Sequence, residues 1–115
     1  MKYIVIEKHE TEFPNPIFLK NEEKVIIGEE SKDTWANWVF CTKSDKSNSG
    51  WVPKQIIRYE GSFGYILEEY YAKELNIEKG CIINGFKELN GWIWCECEST
   101  NEIGWVPLKN IEKME

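Results

Sequence analysis

Histidine is nearly missing from this chain: His9 is the only one among 115 residues. A nucleophile–base pair or a histidine-rich metal site therefore has almost nothing to draw on. No glycine-rich loop of the phosphate-cradling kind is present. The four cysteines (Cys41, Cys81, Cys95, Cys97) show no Cys-x-x-Cys spacing of the sort a zinc site uses. No enzyme activity, metal or cofactor is expected on these grounds. Long apolar runs are missing too; none approaches the roughly 20 residues of a membrane-spanning helix, so no membrane partner is expected. A basic excess is likewise absent. The formal net charge is −6, and residues 61–115 carry 5 Lys/Arg against 10 Asp/Glu. Without a Lys/Arg stripe the electrostatic footprint of a nucleic-acid binder is missing, and a charged partner, if there is one, is expected to be basic.

The cysteines also fail to form a disulfide framework. Cys95 and Cys97 stand two apart on a predicted strand and so share a face, where free thiols behave as small buried hydrophobes. Met1-Lys2-Tyr3-Ile4-Val5-Ile6-Glu7 meets charge too early for a signal-peptide core and is read as a first strand. A reducing, cytoplasmic location is expected.

What the chain has is a duplication. Trp38-Val39-Phe40-Cys41 is followed, after nine residues, by Trp51-Val52-Pro53; Trp92-Ile93-Trp94-Cys95 is followed, after nine, by Trp105-Val106-Pro107. Gly50 and Gly104 precede the later Trp in each case, and the offset is 54 positions. Leu75–Ile83 also aligns with Leu19–Ile27. Repetition at a fixed period outranks local propensity. Short β-branched and aromatic runs are predicted as strands: Tyr3–Ile6, Lys24–Ile27, Trp38–Thr42, Gly50–Pro53, Gly64–Leu67, Cys81–Asn84, Trp92–Cys97 and Gly104–Pro107. Single 3-10 turns fit after each proline, at Lys54–Ile57 and Leu108–Ile111. The expectation is an all-β chain with one repeat in residues 1–58, a linker at 59–63 and a second repeat in residues 64–115. Units this small are marginal alone, so packing between them or in a homodimer is an alternative use of their apolar faces.

The second repeat resembles a Src-homology-3 (SH3) domain. Glu74–Gly80 resembles the end of the family's RT loop and its diverging turn, and Gly91-Trp92-Ile93-Trp94 its paired-Trp strand. Gly104-Trp105-Val106-Pro107 resembles the strand before its 3-10 turn, and Ile66–Tyr70 stands where the family has Ala-Leu-Tyr-Asp-Tyr. The first repeat is a weaker copy, carried by Trp38, Gly50-Trp51-Val52-Pro53 and Leu19–Ile27. The resemblance implies two tandem SH3-like small β-barrels, each of about five short strands with a 3-10 turn, that bind peptides and have no catalytic residues. It departs from the family three residues after each proline, where Ile56 and Asn110 replace the usual Tyr.

Strand alternation then places a candidate site. If Val39, Cys41, Val52, Ile93, Cys95 and Val106 point into the cores, the neighbouring aromatics and prolines share the opposite, outward face. In the second repeat this alternation places Trp92, Trp94, Trp105 and Pro107 in the candidate peptide groove, and the resemblance adds Tyr70, at the place of a groove tyrosine of the family, and Glu74, at the place of its RT-loop acid. The candidate groove of the first repeat comprises Trp35, Trp38, Phe40, Trp51 and Pro53. Flat indole surface suits an extended, Pro-rich or basic segment of a partner protein. The same faces could instead pack between repeats or in a homodimer, making the protein a structural or assembly component; a cell-wall-binding module is a lesser alternative. His9 is expected to be a solvated loop residue, and Glu74 either a ligand contact or a solvated carboxylate.

Overall fold

Burial alternates residue by residue along the strand Trp92–Cys97, with Ile93, Cys95 and Cys97 buried and Trp92, Trp94 and Glu96 half-buried, as a pleated strand with one face on a core requires. In the computed structural model, which describes residues 1–32 and 36–114, this pattern recurs throughout an all-β chain. The strands are β1 (Lys2–Val5), β2 (Phe18–Leu19), β3 (Lys24–Glu30), β4 (Trp38–Lys43), β5 (Ser49–Pro53) and β6 (Ile57–Glu60). They continue as β7 (Phe63–Ile66), β8 (Tyr70–Tyr71), β9 (Ile82–Leu89), β10 (Trp92–Cys97), β11 (Ile103–Pro107) and β12 (Ile111–Lys113). Single 3-10 turns follow Pro53 and Pro107, at Lys54–Ile56 and Leu108–Asn110. No helix among the described residues is long and apolar enough to cross a membrane.

The strands form two five-stranded sheets, in the orders β11-β10-β9-β1-β12 and β5-β4-β3-β7-β6, and a two-stranded ribbon β2-β8. The chain accordingly divides into two compact units. Unit 1 is Met1–Pro14 with Lys73–Glu115, and unit 2 is Asn15–Ala72. This corrects the division expected at 59–63. Tyr59 and Glu60 close β6, Phe63 opens β7, and Glu60 pairs with Phe63 across a two-residue hairpin. Gly61 takes φ +66° there, a value that glycine reaches without strain at the first position of such a turn. The supposed linker is thus internal to unit 2. The reason is long-range pairing: β1, from the first repeat, completes the sheet of the second, and β7, from the second, completes the sheet of the first. Internal similarity locates copies of a motif, but it carries no information about which copy a strand pairs with.

Unit 1 buries Val5, Leu75, Ile77, Ile83, Ile93, Cys95, Cys97, Val106 and Ile111 in one cluster, with Tyr3, Cys81 and Leu108 packed against it. In unit 2 the matching positions Ile17, Leu19, Val25, Val39, Cys41, Val52, Ile57 and Ile66 are buried. The four cysteines are free thiols. Burial pushes the Cys41 thiol up to about 12, and burial with the neighbouring Cys97 does the same to Cys95. A rise from 9.0 to about 12 lowers the thiolate fraction roughly a thousandfold. Iodoacetamide at mildly alkaline pH is expected to leave Cys41 and Cys95 unmodified until denaturant is added; rapid native-state labelling of either would contradict their placement.

One carboxylate adds a pH-dependent contribution in unit 2. Glu23 accepts from the Lys20 amide (3.0 Å) and from Lys43 Nζ (2.9 Å), at the corner leading into β3. Burial acts to raise its pKa, but these bonds and the charges of Lys43 and Lys20 outweigh that and hold it below the ordinary carboxylate value. A depressed folded pKa stabilises above the unfolded value, and the contribution is lost as pH falls through the folded one. Glu23→Gln should therefore melt below the wild type at about pH 7, with the gap narrowing at acid pH, below the ordinary carboxylate value. Equal gaps at both pH values would contradict this.

Candidate functional site

The face opposite each core is built by one repeated cross-strand register. In unit 2, β4 sets Trp38 opposite Pro53 and Phe40 opposite Trp51 of β5. In unit 1, β10 sets Trp92 opposite Pro107 and Trp94 opposite Trp105 of β11. Directly opposed side chains on one face are close enough to touch, and the rings do. Phe40 and Trp51 meet edge-on with centroids 5.2 Å apart and planes at 72°, while Trp94 and Trp105 lie 5.3 Å apart at 59°. Such tilted pairs suit the ring quadrupoles. The residues assigned inward by alternation are inward: Val39, Cys41, Val52, Ile93, Cys95 and Val106 are each at most 2% exposed.

The outward expectation needs correction for half of the set. Trp38 and Trp105 are only 7% exposed, and Pro53 and Pro107 are buried as well. Phe40, Trp51, Trp92 and Trp94 are half-buried and form what remains of an aromatic surface. Trp105 is also held along its backbone. The segment Lys73–Leu75 runs parallel beside β11, its Lys73 carbonyl accepting from the Trp105 amide (2.8 Å) and its Leu75 amide donating to the Trp105 carbonyl (3.0 Å). Trp35 lies outside the described residues.

Tyr70 belongs to the other unit from the one expected. It lies on β8, opposite Leu19 of β2, is 7% exposed, and donates its hydroxyl to the Trp51 carbonyl (3.1 Å). It thus joins Trp38, Phe40, Trp51 and Pro53 in unit 2. Glu74 stays with Trp92, Trp94, Trp105 and Pro107 in unit 1, where the place matching Tyr70 is taken by His9. His9 is no solvated loop residue. Its backbone exchanges two 2.9 Å hydrogen bonds with Ile77, and its Nε2 lies 2.8 Å from Glu74 Oε1, with the two side chains 17% and 14% exposed. Its ring also stands edge-on to Trp92, 5.6 Å away at 79°. Glu74 is therefore committed to His9.

Asn110 has a structural role that its sequence context does not signal. It is 3% exposed, and its Nδ2 donates to the carbonyls of Glu7 and Lys8, both at 3.1 Å. Its own carbonyl accepts from the Ile6 amide at 2.8 Å. Oδ1 is buried with no partner among the described residues. This side chain clamps the first-repeat segment 6–8 onto the second-repeat turn, and in unit 2 the matching Ile56 keeps only the backbone part, its carbonyl accepting from the Leu67 amide (2.7 Å). Nothing in local spacing signals either His9 or Asn110, because their partners come from the other copy of the repeat.

The arrangement offers flat, half-covered aromatic area on each unit. Comparison with known proteins gives no counterpart: no family model, no curated protein and no solved structure matches the chain.

Proposed function

We propose that this chain is a non-enzymatic protein–protein interaction module of two SH3-like barrels, which binds a peptide or partner protein in the cytoplasm through its aromatic faces. The observation that supports this most is the twofold recurrence of one register, which leaves Phe40 and Trp51 in unit 2, and Trp92 and Trp94 in unit 1, half-buried on matching faces. Half-covered rings held by cross-strand neighbours lose little freedom on docking and still have apolar area to cover. An extended or Pro-rich strand enters such a face already ordered. The net charge of −6 favours a basic segment over an acidic one. A second reading, a structural or assembly role, draws support from the burial of Trp38, Trp105, Pro53 and Pro107.

The test is a peptide array spanning Pro-rich, basic and mixed extended sequences, followed by titration of the best binders against Trp51→Ala and Trp94→Ala. Partly exposed rings are the right targets because their loss should leave the fold intact. A loss of about tenfold or more in affinity in at least one variant, with thermal melting retained, is expected. Unchanged binding in both folded variants, or no binder at all, would remove the reading.

A further inference from the structure

The two sheets are completed by exchanged first strands, and their matching positions can be fixed bond by bond. The Gly85 amide donates to the Met1 carbonyl (2.9 Å) as the Ile27 amide does to that of Ser62 (3.0 Å). The Val5 amide donates to the Cys81 carbonyl (2.9 Å) as the Ile66 amide does to that of Glu23 (3.0 Å). Gly80 and Glu22, both at positive φ (96° and 70°), donate to the carbonyls of Val5 and Ile66. Tyr3 pairs with Ile83 as Gly64 pairs with Val25. Hence Tyr3 in unit 1 corresponds to Gly64 in unit 2, and Gly85 corresponds to Ile27. This corrects the sequence alignment of Leu75–Ile83 with Leu19–Ile27 by two residues: the strand pairings make Ile83 the counterpart of Val25 and Ile77 that of Leu19.

Each unit thus sets one large residue against one glycine, in opposite senses. A Cβ on Gly85 would lie 2.9 Å from Cε1 of Tyr3 and 2.5 Å from Cδ1 of Ile93. A Cβ on Gly64 would lie 2.9 Å from Cδ1 of Ile27 and 2.7 Å from Cγ2 of Ile57. Were each first strand to return to its own repeat, Tyr3 would face Ile27 and Gly64 would face Gly85. The first pairing overfills a packed site and the second leaves a void. A polar contact follows the same logic. The bridge His9–Ile77 corresponds to Tyr70–Leu19, and the residue three before the bridge partner is Glu74 in unit 1 but Pro16 in unit 2. Only the exchanged path gives His9 its carboxylate.

The geometry points to a recognition rule built into the fold: each repeat's sheet is a slot that accepts the first strand of the other repeat and rejects its own, the choice being set by Tyr3 on Gly85 and Ile27 on Gly64. The partner each slot fits is the opposite copy's strand, in the same chain or supplied separately.

The full chain carrying a protease site between Gly61 and Ser62 provides the test. After cleavage, the wild-type pieces are expected to co-elute at the intact mass without denaturant; two folded pieces that separate would overturn the exchange. In the uncut, unmodified chain, nuclear Overhauser contacts should link the Tyr3 ring to Gly85, and contacts to Ile27 instead would overturn it as well. The double variant Tyr3→Gly/Gly64→Tyr inverts the size match, so its cleaved halves should separate as folded units. Ile27→Gly/Gly85→Ile moves the other member of each pair and should do the same. If the folded halves of either double variant still co-elute, or if both double variants fail to fold, size matching does not set the choice.

Discussion

A fragment of residues 64–115, cut where the repeat pattern places the second copy, should be unfolded in isolation. The fragment keeps β9, β10, β11 and β12 but loses β1, which lies between β9 and β12 in the sheet. Removing an inner strand leaves β12 without its ladder and β9 with only its pairing to β10, and uncovers the slot that Val5, 1% exposed, fills. That residue alone accounts for about 1.5–3 kcal/mol of burial. The reciprocal bonds of His9 with Ile77 and the two Asn110 amide bonds go with it. The sum is comparable with the whole stability of a small domain, about 5–15 kcal/mol. Far-UV circular dichroism and amide dispersion read the result directly, and a peptide of residues 1–14 added in trans should restore structure. A fragment that folds cooperatively without the peptide would show that unit 1 does not depend on β1.

Trp105→Ala should be the most damaging of the single aromatic replacements in unit 1. Its ring is 7% exposed, stacks at a tilt on Trp94, and sits on a backbone bonded on its outer side to Lys73–Leu75. Truncating a buried Trp costs about 3–5 kcal/mol, transfer and cavity combined. Trp94→Ala removes a half-buried ring and should cost roughly half as much. Urea denaturation of both variants orders them; a Trp105→Ala penalty no larger than that of Trp94→Ala would mean that the ring is not part of the packed structure. The contrast bears on function as well, since lost binding in Trp105→Ala would report a damaged scaffold, whereas in Trp94→Ala it would report a lost contact.

The strands were legible because local chemistry dictates them. Alternation along Trp92–Cys97 and Trp38–Cys41 gave the inward set correctly, and proline after each Trp-Val pair marked the 3-10 turns. The partnering of β1 and β7 was not legible, since the determinants are single residues far apart in sequence: a glycine at 85 for a tyrosine at 3, an isoleucine at 27 for a glycine at 64. The site was legible as a register but not as an exposure. Parity says which side of a sheet a ring occupies and is silent on how far that ring is then covered, as the burial of Trp38 and Trp105 beside half-buried Trp51 and Trp94 shows. His9 looked inert for the same reason, its carboxylate partner being 65 positions away.

The crossing of β1 and β7 has a consequence for heredity. Two duplicated copies ordinarily become free to drift apart, be deleted singly or be shuffled into other genes. Here a change in one copy's opening segment is felt by the body of its twin, so selection must act on both as a single genotype, and neither can be discarded without crippling the one that stays.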